Sequence, residues 1–234
     1  MNTIVFDIGG TLMEYRNMPY VWLDYYEGAF RYVRERLSLP LTDSDIAKSV
    51  EVLRQFNPKV NYREVDYTPE HIFGKATEHW SCGFELNGVI AAFFENMKLT
   101  PYIYPDSIPA LERLKALGTT ICTLTDVATG MPDELHRSYF PELLPYFDMY
   151  VSSISCGMRK PNPKGLEDIA EKFGIGARDM LFVGDEKKDI LVAKRFGCRS
   201  ALIDRNGRSV EYGQDFTICN LNNIEELLRC GSSD

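Results

Sequence analysis

The amino-acid sequence predicts an α/β protein, a doubly wound parallel sheet with a small helical domain inserted into it. Short apolar runs alternate with amphipathic stretches over most of the chain, as strands and helices do around a parallel sheet. About a hundred residues also separate the first apolar run from the second, far more than one strand-to-helix connection needs. These two observations together favour an inserted domain over a long loop.

Five apolar runs are predicted to be the strands of this sheet. None of them contains a charged residue, which is typical of strands buried on both faces. The runs are Thr3–Phe6, Thr120–Leu124, Met149–Ser152, Met180–Val183 and Ala201–Ile203.

Amphipathic stretches between and after the later strands are predicted to be helices. Glycine, which readily adopts the left-handed conformation that ends helices, follows three of them at Gly118, Gly174 and Gly197. Asn162 followed by Pro163 is a favourable N-cap and first-turn pair. The helices are predicted at Ser107–Leu117, Pro163–Phe173, Lys187–Phe196 and Asn223–Leu228.

Residues 15–100 are predicted to form the helical inserted domain, with 1–14 and 101–234 forming the α/β core. The insert has a helical, aromatic-rich pattern, and we assign its aromatic residues to packing because they recur at helical spacing. Its helices are predicted at Val21–Leu37, Ser44–Phe56, Pro69–Trp80 and Asn87–Lys98, with Asp43 or Ser44 capping the second and Thr68 opening the third.

Composition excludes several classes of protein. The 234 residues carry 26 basic and 34 acidic side chains, a net charge of −8, so no sequence-independent binding to nucleic acid or to an anionic membrane is expected. The longest apolar run, Val89–Phe94, is too short to span a bilayer. The six cysteines form no CxxC pair, which argues against a zinc knuckle, and a reducing cytoplasm is the expected location.

Asp7 follows the first predicted strand and precedes Ile8-Gly9-Gly10-Thr11. The carboxyl ends of parallel strands form the crevice where such sheets bind ligands, and glycines let the backbone approach a ligand closely. Successive amides in such a turn can also hold an anion. The alternative is an aspartate that only accepts hydrogen bonds from the amides of its own turn.

A second acidic cluster follows the strand Met180–Val183. Asp185 lies at its tip and Asp189 lies four residues further, one turn into a helix. Facing Asp7 across adjacent strand ends, these acids would form the oxygen-rich pocket that Mg²⁺ prefers. Taken alone, Asp189 is more simply an acid that complements the helix dipole.

Two further segments would have a functional role only if such a pocket lies nearby. Thr125 and Asp126 close the strand Thr120–Leu124, where a hydroxyl and free amides can hold an anion. Lys160 precedes a helix that begins with proline, and a lysine in that position is normally solvated.

In order, these motifs resemble the haloacid dehalogenase-like (HAD) hydrolase superfamily, whose core is Rossmann-like. The resemblance covers about 1–14 and 103–205, and it identifies 15–100 as the helical cap of the subfamily with an insertion after the first motif. It implies that Asp7 is the nucleophile, that Thr125 and Lys160 are catalytic, and that Mg²⁺ binds at Asp7, Gly9, Asp185 and Asp189. It further implies phosphate binding by Gly10, Thr11, Thr125, Asp126 and Lys160. The expected partner is a small phosphorylated metabolite, and the expected state is a monomer or homodimer.

The sequence departs from the family pattern at Gly9. Phosphatases of the family usually have an aspartate there as the general acid, and losing a general acid typically costs about 10²–10⁴ in rate. We considered Glu14, Asp126, His71 and His79 as substitutes, although packing or solvent exposure is the simpler interpretation of each.

Three alternatives follow from these motifs. A fold that binds ligand without turnover is compatible with Gly9. The sugar kinases of the actin-like ATPase superfamily share the string DIGGT, but those chains are longer and duplicate the motif-bearing domain. Dehalogenation fits less well, because the family's dehalogenases lack the metal-binding Gly-Asp pair found here at Gly184 and Asp185.

Overall fold

The structure is a computed structural model that describes residues 2–17, 22–222 and 224–229. Within these ranges six parallel strands form one sheet in the order β5-β4-β1-β6-β7-β8, and the other two form an antiparallel ribbon. In chain order the strands are β1 (Thr3–Phe6), β2 (Met13–Arg16), β3 (Thr100–Ile103), β4 (Thr120–Thr125), β5 (Met149–Ser152), β6 (Met180–Gly184), β7 (Arg199–Ile203) and β8 (Phe216–Ile218).

Helices cover both the insertion and the connections between strands. The first four lie between β2 and β3, and this segment is called the insertion below; the remainder belong to the sheet connections and the C-terminal part of the chain. They are α1 (Tyr26–Arg36), α2 (Asp43–Phe56), α3 (Pro69–Thr77), α4 (Leu86–Met97), α5 (Ser107–Ala116), α6 (Asp133–Ser138), α7 (Ser153–Cys156), α8 (Lys164–Phe173), α9 (Lys187–Phe196) and α10 (Glu226–Arg229).

The predicted fold class is confirmed, and each of the five predicted strands lies within an observed one. The sheet is wholly parallel: helices connect β1, β4, β5, β6 and β7 in sequence, and β8 pairs with β7 in the same direction without a helix between them. The ribbon of β2 and β3 and the edge strand β8 were not predicted from the sequence. Val21 and Asn223, at the start of two predicted helices, lie outside the described residues.

Most predicted helix ends agree with the structure. Gly118, Gly174 and Gly197 have φ of +71°, +62° and +89°. The Thr68 side chain accepts from the His71 amide, as expected of an N-cap. The cap expected at Asp43 or Ser44 was wrong: Thr42 is the N-cap of α2, and its side chain accepts from the Asp45 amide while Asp45 accepts from the Thr42 amide.

Buried side chains form one cluster on each face of the sheet and a third inside the insertion. Within β1, Phe6 belongs to one face and Val5 to the other, as the period of two requires. In the insertion, the rings of Phe30 and Phe73 each lie 5.0 Å from that of Phe93. Val127, in the loop after β4, belongs to this third cluster, so the insertion packs directly against the core beside the strand ends.

Polar contacts fasten the loop between α2 and α3 to the core. The carboxylate of Asp66 is almost fully buried and lies 2.7 Å from the guanidinium of Arg159 and 2.6 Å from that of Arg63. The Asp66 amide donates to the carbonyl of Gly157 at 2.8 Å, and the Arg159 amide donates to the carbonyl of Glu64 at 2.6 Å. These bonds hold the insertion over the carboxyl ends of β4 and β6. No helix in the described part of the chain has the length and apolarity needed to cross a membrane.

Candidate active site

Three carboxylates meet at the carboxyl ends of two neighbouring strands. Asp7 follows β1, Asp185 follows β6, and Asp189 lies in the first turn of α9; one oxygen from each lies within 4.8 Å of the other two. Parallel pairing of β1 with β6 brings the strand ends together, and the Asp7 amide donates to the Val183 carbonyl at 2.9 Å. The predicted acidic cluster is therefore present in the structure.

The donor set of this cluster fits a divalent cation. Burial raises the pKa of Asp185 to about 8, and the charges of Asp189 and Asp7 add to the rise. Burial also raises the pKa of Asp7 to about 6, despite the opposing effect of Lys160. Oδ1 of Asp185 is buried without a hydrogen-bond partner among the described residues. Carboxylate oxygens that repel one another and lack partners suit a hard cation such as Mg²⁺.

The two glycines after Asp7 have different surroundings. Gly10 has φ of +76°, and a Cβ there would lie 2.5 Å from the carboxylate carbon of Asp185. A Cβ on Gly9 would meet no atom within 4 Å. The Gly10 amide donates to the Met13 carbonyl at 2.8 Å and the Thr11 amide donates to the Ile8 carbonyl at 3.3 Å, so the turn itself uses both amides.

Lys160 lies in the middle of the acidic cluster. Its ammonium is 2.8 Å from Oδ1 of Asp7 and 2.6 Å from Oδ1 of Asp189, and its side chain is fully buried. Burial lowers the pKa of Lys160, but the charges of Asp189 and Asp7 outweigh this and the net pKa is above the ordinary value. The lysine is therefore charged at neutral pH. The second carboxylate oxygen of Asp189 accepts from the Glu186 amide at 2.8 Å, so this acid also caps α9.

Thr125 and Asp126 end β4 beside Asp7. Oδ1 of Asp126 accepts from the Lys160 amide at 3.0 Å, and its Oδ2 lies 3.0 Å from the ammonium of Lys188. Burial raises the pKa of Asp126, but Lys188, Arg159 and Lys160 more than offset this and bring it to about 2. Because the carboxylate is anionic and would repel phosphate, a phosphate contact at Asp126 is restricted to its backbone.

A cavity of about 400 Å³ lies between these strand ends and the insertion. Six of the predicted site residues line it: Asp7, Gly9, Gly10, Thr125, Asp126 and Asp185. Thr11, Lys160 and Asp189 do not. The Thr11 side chain is buried, its Oγ1 has no hydrogen-bond partner among the described residues, and its carbonyl accepts from Arg205 at 2.8 Å.

Three basic residues that were not predicted also line the cavity. Arg159 contacts Asp66, and Lys188 lies 2.8 Å from Glu186 in addition to its contact with Asp126. Lys59, from the loop after α2, is exposed. Arg159 and Lys188 are sequence neighbours of predicted residues, and that proximity is the only signal that could have identified them.

Of the residues considered as substitutes for the missing general acid, only some line the cavity. The ring of His71 stacks on Tyr67 at 4.9 Å and Nε2 of His79 contacts the carbonyl of Asp45 at 3.0 Å; neither histidine lines the cavity. Glu14 does line it, and accepts from the Tyr104 hydroxyl at 3.0 Å.

His136, which was not predicted, also lines the cavity. Its Nδ1 lies 2.8 Å from the Tyr150 hydroxyl, and burial lowers the pKa of His136 to about 4. The histidine is therefore neutral at neutral pH, and a neutral ring lacks the extra proton that a general acid near pH 7 would donate.

Comparison with known proteins places this geometry in a family. A family model of haloacid dehalogenase-like hydrolases matches residues 1–197. Phosphoglycolate phosphatase of Neisseria gonorrhoeae is 32% identical over 124 residues, which cover 53% of this chain and 51% of that protein. Phosphoglycolate phosphatase of Aliivibrio fischeri is 34% identical over 99 residues, which cover 42% of this chain and 43% of that protein. The chain thus spans about half the length of these curated relatives.

Solved structures resemble the whole chain at lower sequence identity. A 2-haloacid dehalogenase from Pseudomonas syringae pv. tomato has a TM-score of 0.65 at 19% identity, covering 98% of this chain and 99% of that one. A HAD phosphatase from Thermococcus onnurineus has a TM-score of 0.63 at 19% identity, covering 97% and 98%. At these identities the likeness concerns the fold alone.

Proposed function

The chain belongs to the haloacid dehalogenase-like hydrolases, and we propose that it is a magnesium-dependent phosphatase that hydrolyses a small phosphomonoester through an aspartyl-phosphate on Asp7. The observation that carries this proposal is the position of Asp7, which lines the cavity, lies 2.8 Å from the Lys160 ammonium and has an oxygen within 4.8 Å of oxygens of Asp185 and Asp189. The curated relatives support phosphate as the group transferred, because both are named phosphoglycolate phosphatases.

Asp7 supplies the nucleophile. One of its carboxylate oxygens attacks phosphorus, and the bond from phosphorus to the leaving-group oxygen breaks. Lys160, 2.8 Å from Oδ1, holds the carboxylate in place and keeps it ionised. Water then attacks the aspartyl-phosphate, releasing phosphate and regenerating Asp7.

The remaining site residues hold and neutralise the phosphoryl group. Asp7, Asp185 and the carbonyl of Gly9, with Asp189 beside them, are the oxygens that would hold Mg²⁺, which when bound offsets the repulsion between carboxylate and phosphate. Thr125 lines the cavity at the end of β4, which supports a role for its hydroxyl as a donor to a phosphoryl oxygen. Lys188, at the cavity wall, offsets the negative charge of Asp126 at the end of β4.

The test is phosphate release from a panel of phosphomonoesters, with and without Mg²⁺ and chelator. Wild type is compared with Asp7→Asn and with Asp43→Asn, a matched change at an exposed aspartate. We expect release that requires Mg²⁺, persists in Asp43→Asn and disappears in Asp7→Asn. Release that persists in Asp7→Asn would contradict the proposed nucleophile. No release from a folded protein that binds Mg²⁺ would favour the alternative in which the fold binds ligand without turnover.

A further inference from the structure

We propose that the leaving group of the substrate is aromatic, so that the enzyme is an aryl phosphatase whose cavity holds the ring beneath the insertion. This inference rests on the proposed function, because it assumes phosphoryl transfer to Asp7. It is carried by the composition of the cavity wall, the pairing of its charges and the space beside Gly9.

The wall formed by β2, the insertion and the loop after β4 contains a group of apolar side chains that includes several aromatic rings, beside polar residues such as Glu14 and Asn57. Edge-to-face geometry, which aromatic rings prefer, already relates Tyr15 to Trp22, with ring centroids 6.4 Å apart and planes at 89°. The cavity's volume of about 400 Å³ is in the range of pockets that enclose drug-sized ligands, and it is larger than a two-carbon acid requires. The larger apolar and aromatic side chains of this wall include Tyr15, Trp22, Tyr26, Phe94, Met97 and Met131.

The cavity offers little to a second anionic group. Of the basic residues in its lining, Arg159 is paired with Asp66 at 2.7 Å, and Lys188 is paired with Asp126 at 3.0 Å and with Glu186. Lys59 is exposed rather than buried in the wall. Binding a substrate carboxylate at Arg159 or Lys188 would therefore require breaking an existing ion pair, whereas an uncharged ring requires no counter-ion.

Gly9 leads to the same class of substrate by an independent route. Glycine at this position supplies no proton to the leaving-group oxygen, which favours leaving groups that are stable as anions. A phenol, with a pKa of about 10 as in free tyrosine, departs more easily than an aliphatic alcohol, and a general acid is worth about 10²–10⁴ in rate when the leaving group needs it. An aryl ester is the phosphomonoester least affected by the absence of the acid.

The reaction balances with water as the only co-reactant. A bond forms between the Asp7 oxygen and phosphorus, and the bond between phosphorus and the phenolic oxygen breaks, with its electron pair leaving on that oxygen. The phenolate takes a proton from solvent. Water then hydrolyses the aspartyl-phosphate, so the products are one phenol and one inorganic phosphate.

The experiment measures kcat/KM for phenyl, 1-naphthyl and simple alkyl phosphates and for phosphoglycolate. Phenol and 1-naphthol are of similar acidity, so a preference between their esters reports contacts with the ring. We expect naphthyl phosphate to exceed phenyl phosphate by about 10-fold, and both to exceed the alkyl ester and phosphoglycolate by about 100-fold or more.

Two variants separate the ring contacts from the missing acid. Trp22→Ala is expected to abolish the naphthyl preference without changing inhibition by inorganic phosphate, whereas Tyr62→Ala, which truncates a ring that is 71% exposed, leaves the preference intact. Gly9→Asp, for which a Cβ has room, is expected to raise alkyl-ester turnover by about 10²-fold while changing the aryl rates less.

The outcomes for the two proposals are distinguishable. If phosphoglycolate or the alkyl ester is hydrolysed as fast as the aryl esters, in a reaction that needs Mg²⁺ and Asp7, the aromatic inference is overturned and the phosphatase stands. A naphthyl preference that survives Trp22→Ala also overturns the inference. No release from any ester overturns both.

Discussion

A side chain at residue 10 and the carboxylate of Asp185 exclude each other: a Cβ on Gly10 would lie 2.5 Å from the Asp185 carboxylate carbon. The left-handed φ of +76° at Gly10 adds a second reason for glycine, because only glycine adopts this conformation without steric cost. The turn after β1 is therefore shaped to leave room for an acid that follows β6.

Gly10→Ala is expected to weaken Mg²⁺ binding by at least about 10-fold and to destabilise the protein by about 1–2 kcal/mol, since the new methyl group displaces Asp185 and the backbone is strained. Calorimetric titration with Mg²⁺ measures the first effect. Gly9→Ala is the matched control, because its Cβ meets nothing within 4 Å. Equal affinities in the two variants would contradict this account of Gly10.

Lys160→Met is expected to lower the free energy of unfolding by about 3–5 kcal/mol at pH 7, because it leaves Asp7 and Asp189 as unpaired buried charges. The measurement is urea denaturation in the presence of chelator. Lys164→Met removes an exposed lysine paired with Asp168 and is expected to cost less than about 1 kcal/mol. Similar losses of unfolding free energy in both lysine variants would show that the buried ion pairs of Lys160 stabilise the protein no more than an exposed pair does.

Asp66→Asn is expected to loosen the insertion, because the buried carboxylate lies between the guanidinium groups of Arg63 and Arg159. Hydrogen exchange at the amides of Asp66 and Arg159, which bond across this contact, should accelerate by about 100-fold. Asp43→Asn, at a carboxylate that is 69% exposed, should leave the same amides unchanged. Unchanged exchange in Asp66→Asn would mean that the insertion is held by apolar packing alone.

His136 is expected to make the protein less stable in mild acid. Its pKa falls from 6.5 to about 4 on folding because it is buried, so its contribution is complete above pH 6.5 and is lost as the pH falls toward 4. Between pH 7 and pH 5 the loss is about 2 kcal/mol. Urea denaturation at both pH values should show this loss in wild type and a smaller one in His136→Phe. A pH dependence identical in the two proteins would assign it to other groups.

The strands and the acids at their ends could be predicted because one local pattern specifies both. Thr3–Phe6 and Met180–Val183 are uncharged apolar runs, and a polar segment follows each at once, beginning at Asp7 and at Gly184. The same short stretch therefore predicts a strand, the end of that strand and a candidate metal ligand. Parallel pairing then brings such ends to one edge of the sheet. The resemblance to a known family supplied the roles.

Elements that depend on tertiary partners could not be predicted in this way. β2 contains Glu14 and Arg16 and is only partly buried, so its strand conformation comes from pairing with β3 rather than from apolar character. His136 stands in the segment DELHRS, where nothing marks it, and only the packing of α6 brings it to the cavity. Lys188, in α9, could not be recognised from the sequence because its partner Asp126 follows β4 and the two meet only in the folded protein.

The ribbon of β2 and β3 bears on how such a protein can evolve. Arg16 lies opposite Thr100, so the chain leaves the core and returns to it at the same point. The segment between these two residues can therefore change in length without moving the strands of the sheet, provided that Val127 is covered again and Arg159 again has an acidic partner. Replacing this segment would exchange the part of the cavity wall that it supplies, while the acids at the strand ends would stay in place.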